Sequence, residues 1–416
     1  MSSTATVSKF IYRCTDCGME YSGGDTLYLC PSCQSQNNST TPPKGVLKTV
    51  YDYATLRKTI HHFDDLKATG FAELLPIKNI QSLPQLKVGN TPLYATEYLD
   101  GKKLSFNLFL KDDAQNPTFS FKDRASAVVS AYALEKGYET IVAASTGNAG
   151  SSLAGICASQ KQKAIIMVPE AAPVAKLTQI LMYGATIVPV KGTYDDAFDL
   201  SIKATEEFGW YNRNTAFNPF TIEGKKTVSY EIFEQMNFQV PDRIFVPTGD
   251  GVIISGIYKG FEDLLELGLI DKMPVIVMVQ SEGSDNLVRN LNSSEFIIKP
   301  STTLADSISV DIPRNFYMAQ QFIQKYQGEY LTVSDHEIVQ ASGILAKNSG
   351  IFAEPAAATA FAGMLSYAKN NRLKEHSNNL VLLTGSGLKD LKSVSSLLHM
   401  PASITPDIEN LKKLLS

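Results

Sequence analysis

The sequence predicts an α/β protein of two or three domains, with mostly parallel sheets covered by helices on both faces. From Leu104 onward, short apolar or β-branched runs alternate with longer helical patterns. That rhythm is the one strand–helix–strand units produce. The turns that leave the strands are rich in Gly and small polar residues, and ligands of open parallel sheets bind at such turns, beside helix N-termini. A chain of 416 residues also exceeds one ordinary hydrophobic core.

In chain order, "YDYATLRKTIHHF" reads as a helix and "VGNTPLYATEYLD" as a turn entering a strand. "SFNLFLKDD" is a strand, and "FKDRASAVVSAYALEKG" a helix with Gly137 just past its end. "ETIVAAS", "KAIIMVPE" and "ATIVPVKG" are strands, separated by the helices "NAGSSLAGICASQ" and "PVAKLTQILMYG" and followed by the helix "YDDAFDLSIKATEEFG". The later half repeats the pattern. "DRIFVPTG", "MPVIVMVQSEG" and "NLVLLTGSG" are strands; "DGVIISGIYKGFEDLLELG", "DHEIVQASGILAKNSG" and "EPAAATAFAGMLSYAKN" are helices.

Composition excludes several classes. With 44% hydrophobic and 19% charged residues and a formal charge of -4, the chain has no basic footprint for nucleic acid. "MSSTATVSKF" lacks the apolar core of a signal peptide, and no run approaches the roughly 18 apolar residues of a membrane span. A cytoplasmic protein is expected.

Four of the five cysteines, Cys14, Cys17, Cys30 and Cys33, form C-x2-C-x12-C-x2-C. Two such knuckles can set four thiolates tetrahedrally around zinc, in a closed structural site. Iron in a rubredoxin-like site uses the same ligands. The module occupies residues 1–40, and the polar run "QSQNNSTTPPKG" after Cys33 has linker composition.

"PTFSFKDRASA" places Lys122 at a helix entry between aromatic residues and an Asp-Arg pair. Burial and neighbouring charge can lower a lysine's pKa until the neutral amine attacks carbonyls; alone, such a lysine is more often a solvated first-turn residue. "ASTGNAGSS" opens a helix with Ser145, Thr146 and Asn148, a cap or an anion site. "PTGDGVIISG" offers Gly249 and Gly251 for a backbone turned toward a phosphate, with Asp250 compatible only if its carboxylate points away. "LLTGSGLKD" presents Thr384 at a strand end, and Glu354 in "GIFAEPAAATAFAGM" reads as a cap or surface acid. A cofactor with a phosphate, a lysine-reactive aldehyde and a ring nitrogen joins these pieces, and pyridoxal phosphate has all three.

With these motifs in order from about Val88 to Asp390, and with the cysteine module ahead of them, the chain resembles the threonine synthase family. These are fold-type II pyridoxal-phosphate enzymes of the tryptophan synthase β-like superfamily. The resemblance implies two open parallel-sheet α/β domains behind the N-terminal zinc ribbon: a large one from residues 41–120 and 221–416, and a small one from 121–220. It implies that Lys122 is the Schiff-base lysine and proton shuttle. Asn148 is then the partner of the cofactor's 3′-oxygen, Gly249, Asp250, Gly251, Val252 and Ile253 form the phosphate cradle, and Thr384 faces the ring nitrogen. Ser145, Thr146 and Ala149 would meet the substrate carboxylate. Candidates for a substrate phosphate are Lys176, Asn218 and Arg314. The implied reaction is O-phosphohomoserine plus water to threonine plus phosphate, in a homodimer. Alternatives are a serine or threonine dehydratase, a phosphoserine-using β-replacement enzyme such as cysteate synthase, or a non-catalytic zinc-ribbon regulator.

Overall fold

The alternating pattern becomes two sheets in a computed structural model that describes residues 8–415. The first seven residues of the N-terminal run read above lie outside that range. The small sheet contains β6 (Thr140–Ala144), β7 (Lys163–Pro169), β8 (Thr186–Val190) and β9 (Tyr211–Asn212), parallel throughout in the order β8-β7-β6-β9. The large sheet is built from β4 (Leu93–Leu99), β5 (Lys102–Asp112), β10 (Arg243–Pro247), β11 (Val275–Ser281), β12 (Glu329–Val333) and β13 (Asn378–Leu383). Its order is β12-β11-β10-β13-β5-β4, with only the edge strand β4 antiparallel. Central strands such as "RIFVP" are buried nearly end to end because helices cover both faces, which is why they are continuously apolar and not alternating.

A third, small sheet joins β1 (Phe10–Cys14), β2 (Glu20–Ser22) and β3 (Leu47–Tyr51) in the order β2-β1-β3. The polar stretch that reads as a linker is therefore a returning loop: β3 pairs antiparallel with β1, from Phe10 opposite Tyr51 to Cys14 opposite Leu47. Gly45 closes the loop at φ +85°, where its carbonyl accepts the Cys30 N–H at 2.8 Å. Phe10 and Tyr12 then pack on Phe220, with ring centroids 5.6 and 5.9 Å apart.

"YDYATLRKTIHHF" is not one helix. It forms Tyr53–Leu56, capped by Asp52, and then Phe63–Ala68 after a break. The Asp65 carboxylate accepts the N–H groups of both His61 and His62 at 2.8 Å, which fixes a new helix start there. "FNPFTIEGKKT" carries two consecutive helices, Phe220–Lys225 and Thr227–Gln235. The first crosses the helix Lys122–Glu135 at Gly224, where a Cβ would sit 2.1 Å from the Arg124 carbonyl oxygen. Only glycine permits that approach, and it brings Lys225 to the same cavity as Lys122.

Candidate active site

Lys122 is the first residue of its helix, and each neighbour in its motif holds the turn in place. The buried Asp123 carboxylate accepts the Thr118 N–H at 2.7 Å and the Thr118 hydroxyl at 2.5 Å. Arg124 donates to Asp113 at 2.6 and 2.9 Å and to Glu231 at 2.6 and 2.8 Å. The Phe121 N–H donates to the Thr384 carbonyl at 2.9 Å and the Ser386 N–H to the Phe119 carbonyl at 3.1 Å, joining the lysine turn to the end of β13. The two phenylalanines are not equivalent. Phe121 is buried, whereas Phe119, at φ +67°, is 51% exposed and does not enclose the lysine.

Lys122, Ser145, Thr146, Asn148, Ala149 and the whole 249–253 turn line one cavity of about 430 Å³. Thr384 lies behind the lysine turn, outside that lining, and it is buried. Asn148 begins the helix Asn148–Gln160. Two residues on, Gly150 is required because a Cβ would meet the Ser145 carbonyl at 2.4 Å. The Asp250 carboxylate accepts the Arg314 N–H at 3.1 Å, so it is turned to a structural partner. The candidates for a substrate phosphate are otherwise engaged: Lys176 pairs with Asp306 at 2.7 Å, Arg314 pairs with Asp195 at 2.5 Å, and Asn218 is a buried structural amide donating to the Asn212 carbonyl.

Sequence reasoning missed three groups. Glu354 is no surface acid: it is buried, and the Asn148 Nδ2 donates to both its oxygens at 3.0 Å. Burial pushes its carboxyl up, while Asn148 and Lys122 oppose this. Arg213 and Lys225 both line the cavity. For Lys225 a signal existed in the double lysine of "EGKKT". Adjacent helix positions point about 100° apart, and Lys226 turns the other way, to Glu223 and Asp263 at 2.6 and 2.7 Å.

These residues fit a phosphate-bearing aldehyde cofactor. A Cβ on Gly249 would lie 2.9 Å from the Ile308 Cα, and Gly251 takes φ +82° immediately before the helix Val252–Glu266. Glycine thus leaves a close backbone cradle opening on the free N–H groups of a helix start. Lys122 senses Glu354, Arg213 and Asp250 only across space, and burial lowers its pKa, keeping a larger share of its amine neutral.

The pattern of the pyridoxal-phosphate dependent enzyme family matches residues 84–385, and the chain belongs to that family. Within it, the chain is similar along almost its whole length to curated threonine synthases. It is 34% identical over 413 residues to that of Methanocaldococcus jannaschii, covering 97% of this chain and 99% of the relative. It is 32% identical over 407 residues to that of Methanosarcina acetivorans, covering 96% and 97%. Among solved structures, the processed form of threonine deaminase isoform 2 from Solanum lycopersicum superposes with TM-score 0.65 at 21% identity, over 80% of this chain and 92% of that one, a likeness of fold.

The cysteine cluster forms a second, separate centre. The four sulfurs lie within 4.8 Å of one another. Cys14 and Cys33 are 3.8 Å apart and Cys17 and Cys30 are 3.7 Å apart. Sulfurs at the corners of a tetrahedron with metal–sulfur bonds of about 2.3 Å stand about 3.8 Å apart. Disulfide sulfurs would be at about 2.05 Å.

Proposed function

We propose that this chain is a threonine synthase that converts O-phosphohomoserine and water to threonine and phosphate, with pyridoxal phosphate held on Lys122. One observation carries the assignment to this cavity: a lysine with no direct partner among the described residues opens onto the same space as a glycine-built backbone cradle suited to a phosphate. The 249–253 turn would hold the cofactor phosphate, Asn148 its 3′-oxygen side, and Thr384 would stand toward the ring nitrogen. The bound cofactor supplies an electron sink for charge developing at the substrate's carbons. Lys122 Nζ, its pKa lowered by desolvation, takes the proton from the substrate Cα and returns protons along the substrate's carbon chain. Ser145, Thr146 and Ala149 orient the substrate carboxylate at the start of the helix Asn148–Gln160. Glu354 holds the Asn148 amide in one orientation from behind.

Purified, cofactor-loaded protein is expected to release phosphate from O-phosphohomoserine with one threonine per phosphate, the amino acid being identified by mass. Ammonia and a keto acid as the main products would instead place the chain with the dehydratases.

We also infer that Cys14, Cys17, Cys30 and Cys33 hold one structural zinc. Elemental analysis is expected to give one zinc per chain, and Cys14→Ser to lose both the metal and the β1–β3 pairing, because metal binding in such a module is folding free energy. One iron per chain, with a coloured protein, would refute zinc. A cytoplasmic location and a homodimer belong to the same proposal. For the dimer, the support is the exposure of Tyr94, Phe119 and Leu388 around one surface hollow. Among the described residues, no helix is long and apolar enough to cross a membrane.

A further inference from the structure

Every carboxylate that lines the cavity is already committed. Asp195 pairs with Arg314, Asp306 pairs with Lys176, Asp250 accepts the Arg314 N–H and Asp311 accepts the Ser301 N–H. Besides Lys122, two cations in the same lining, Lys225 and Arg213, have no carboxylate partner among the described residues. Among the described residues, the buried Lys225 Nζ has no hydrogen-bond partner. Arg213 is also fully buried. Its Nε donates to the Ser126 hydroxyl at 3.3 Å and one terminal nitrogen to the Thr215 hydroxyl at 3.1 Å, while the other, Nη2, has no partner among the described residues. The two arrive from different elements: Arg213 follows β9, and Lys225 ends the helix that crosses the Lys122 helix at Gly224.

Leaving two cations buried and unpaired is costly unless a ligand supplies the counter-charge. The electrostatics show the strain. Burial first, and then Arg213 and Lys122, push Lys225 well below the ordinary lysine value, with only Asp250 opposing. Burial likewise lowers Arg213 to about 10. On the reading above, the cofactor's phosphate takes the backbone N–H groups of the 249–253 turn, which leaves these two side chains for a different anion. A planar guanidinium beside a compact ammonium suits a tetrahedral dianion, the first grasping two oxygens and the second acting as a point charge.

We propose that Arg213 and Lys225 form a second phosphate subsite in the cavity, which binds the phosphate of the phosphorylated amino-acid substrate and holds it as a leaving group. This rests on the reading of the chain as an O-phosphohomoserine enzyme for the substrate's identity, and on the two orphaned cations for the subsite itself. Balancing their charge with the leaving phosphate also stabilises the bond-breaking step, because the negative charge on the departing oxygen grows toward fixed cations.

The test uses holoenzyme. Inorganic phosphate, the product, is titrated calorimetrically, KM is measured with O-phosphohomoserine, and the visible absorbance of bound cofactor is recorded. Lys225→Gln and Arg213→Lys are each expected to weaken phosphate binding and raise KM by about 10- to 100-fold, the range for a lost charge-assisted contact, with cofactor absorbance retained. Lys225→Arg should restore part of the loss. Unchanged phosphate affinity and KM in Lys225→Gln would overturn the subsite, and so would loss of cofactor with unchanged phosphate affinity, which would assign the pair to the cofactor cradle. If wild-type holoenzyme binds inorganic phosphate through Lys225 yet does not turn over O-phosphohomoserine, the subsite stands and the threonine synthase reading falls. Because Lys225→Gln changes only one orphaned group, it remains informative if the Arg213 variant fails to fold.

Discussion

Lys122→Ala is expected to abolish threonine formation, lowering turnover by at least about 10³-fold, because it removes both the cofactor's attachment and the group that moves the Cα proton. The fold should survive. Alanine suits a first-turn helix position, and Lys122 makes no direct contact that the turn depends on; Asp123, Arg124 and Phe121 hold it instead. An unchanged melting temperature with lost activity would separate chemistry from folding. A pH experiment on cofactor-free wild-type protein tests the same group. Burial lowers the Lys122 pKa, Arg213 lowers it further, and Glu354 and Asp250 only partly oppose them. Below that pKa the amine is protonated and has no lone pair. The rate of cofactor capture should therefore rise with pH through a midpoint below the ordinary lysine value of 10.5. A midpoint at or above 10.5, or Lys122→Ala protein that retains substantial activity, would remove Lys122 from its assigned role.

What was legible in the sequence follows from how far apart the cooperating residues lie. The spacing of the four clustered cysteines is a local geometric code, so the cluster could be read without the fold. The strand–helix alternation is a periodic signal, and most of its elements appear where the pattern puts them. Lys122, Asn148 and the 249–253 turn, which share one cavity, are legible as candidates because each sits in a strand-end or helix-start motif with its own composition. Glu354 and Arg213 carry no such mark, and Lys225 only the double lysine of "EGKKT", which does not say which of the two faces the cavity. Glu354 is tied to the cavity only because it meets Asn148, 206 positions earlier in the chain, and because Gly385 leaves it space: a Cβ there would sit 2.4 Å from its oxygen. Lys225 reaches the cavity through a glycine contact between two helices, which pattern cannot show. The break at His61 and His62 escaped because Asp65 competes for their backbone N–H groups, a side-chain effect that helical periodicity does not register.

The Arg of the lysine motif gives the largest expected effect on stability. Arg124 is buried between Asp113, also buried, and Glu231, with contacts as short as 2.6 Å to each. Lys111 reaches Glu231 at 2.8 Å from the other side. Burial alone would raise the Glu231 pKa, yet Arg124 and Lys111 hold it well below the usual carboxylate range. Arg124→Ala removes the cation and leaves both acids in place, so the loss is that of uncompensated buried charge, about 3–5 kcal/mol by urea unfolding at neutral pH. Arg124→Lys should recover only part, since one ammonium cannot span two carboxylates as a planar fork does. The sign of the pH dependence follows. In the wild type, the depressed Glu231 pKa contributes stability above the unfolded value near 4.5 and loses it as pH falls toward the folded value. In Arg124→Ala, Glu231 loses the larger of the two cations that hold its pKa down, so that share of stability is already gone at neutral pH and acid has less left to remove. The stability gap between the two proteins should narrow on acidification. The same network ties the 113 turn and the helix Thr227–Gln235 to the helix that begins with Lys122. Arg124→Ala should therefore also weaken cofactor binding, although Arg124 does not line the cavity. A gap below about 1 kcal/mol, the range of a solvated ion pair, or one that widens in acid, would show that the motif's arginine is not what holds the lysine turn.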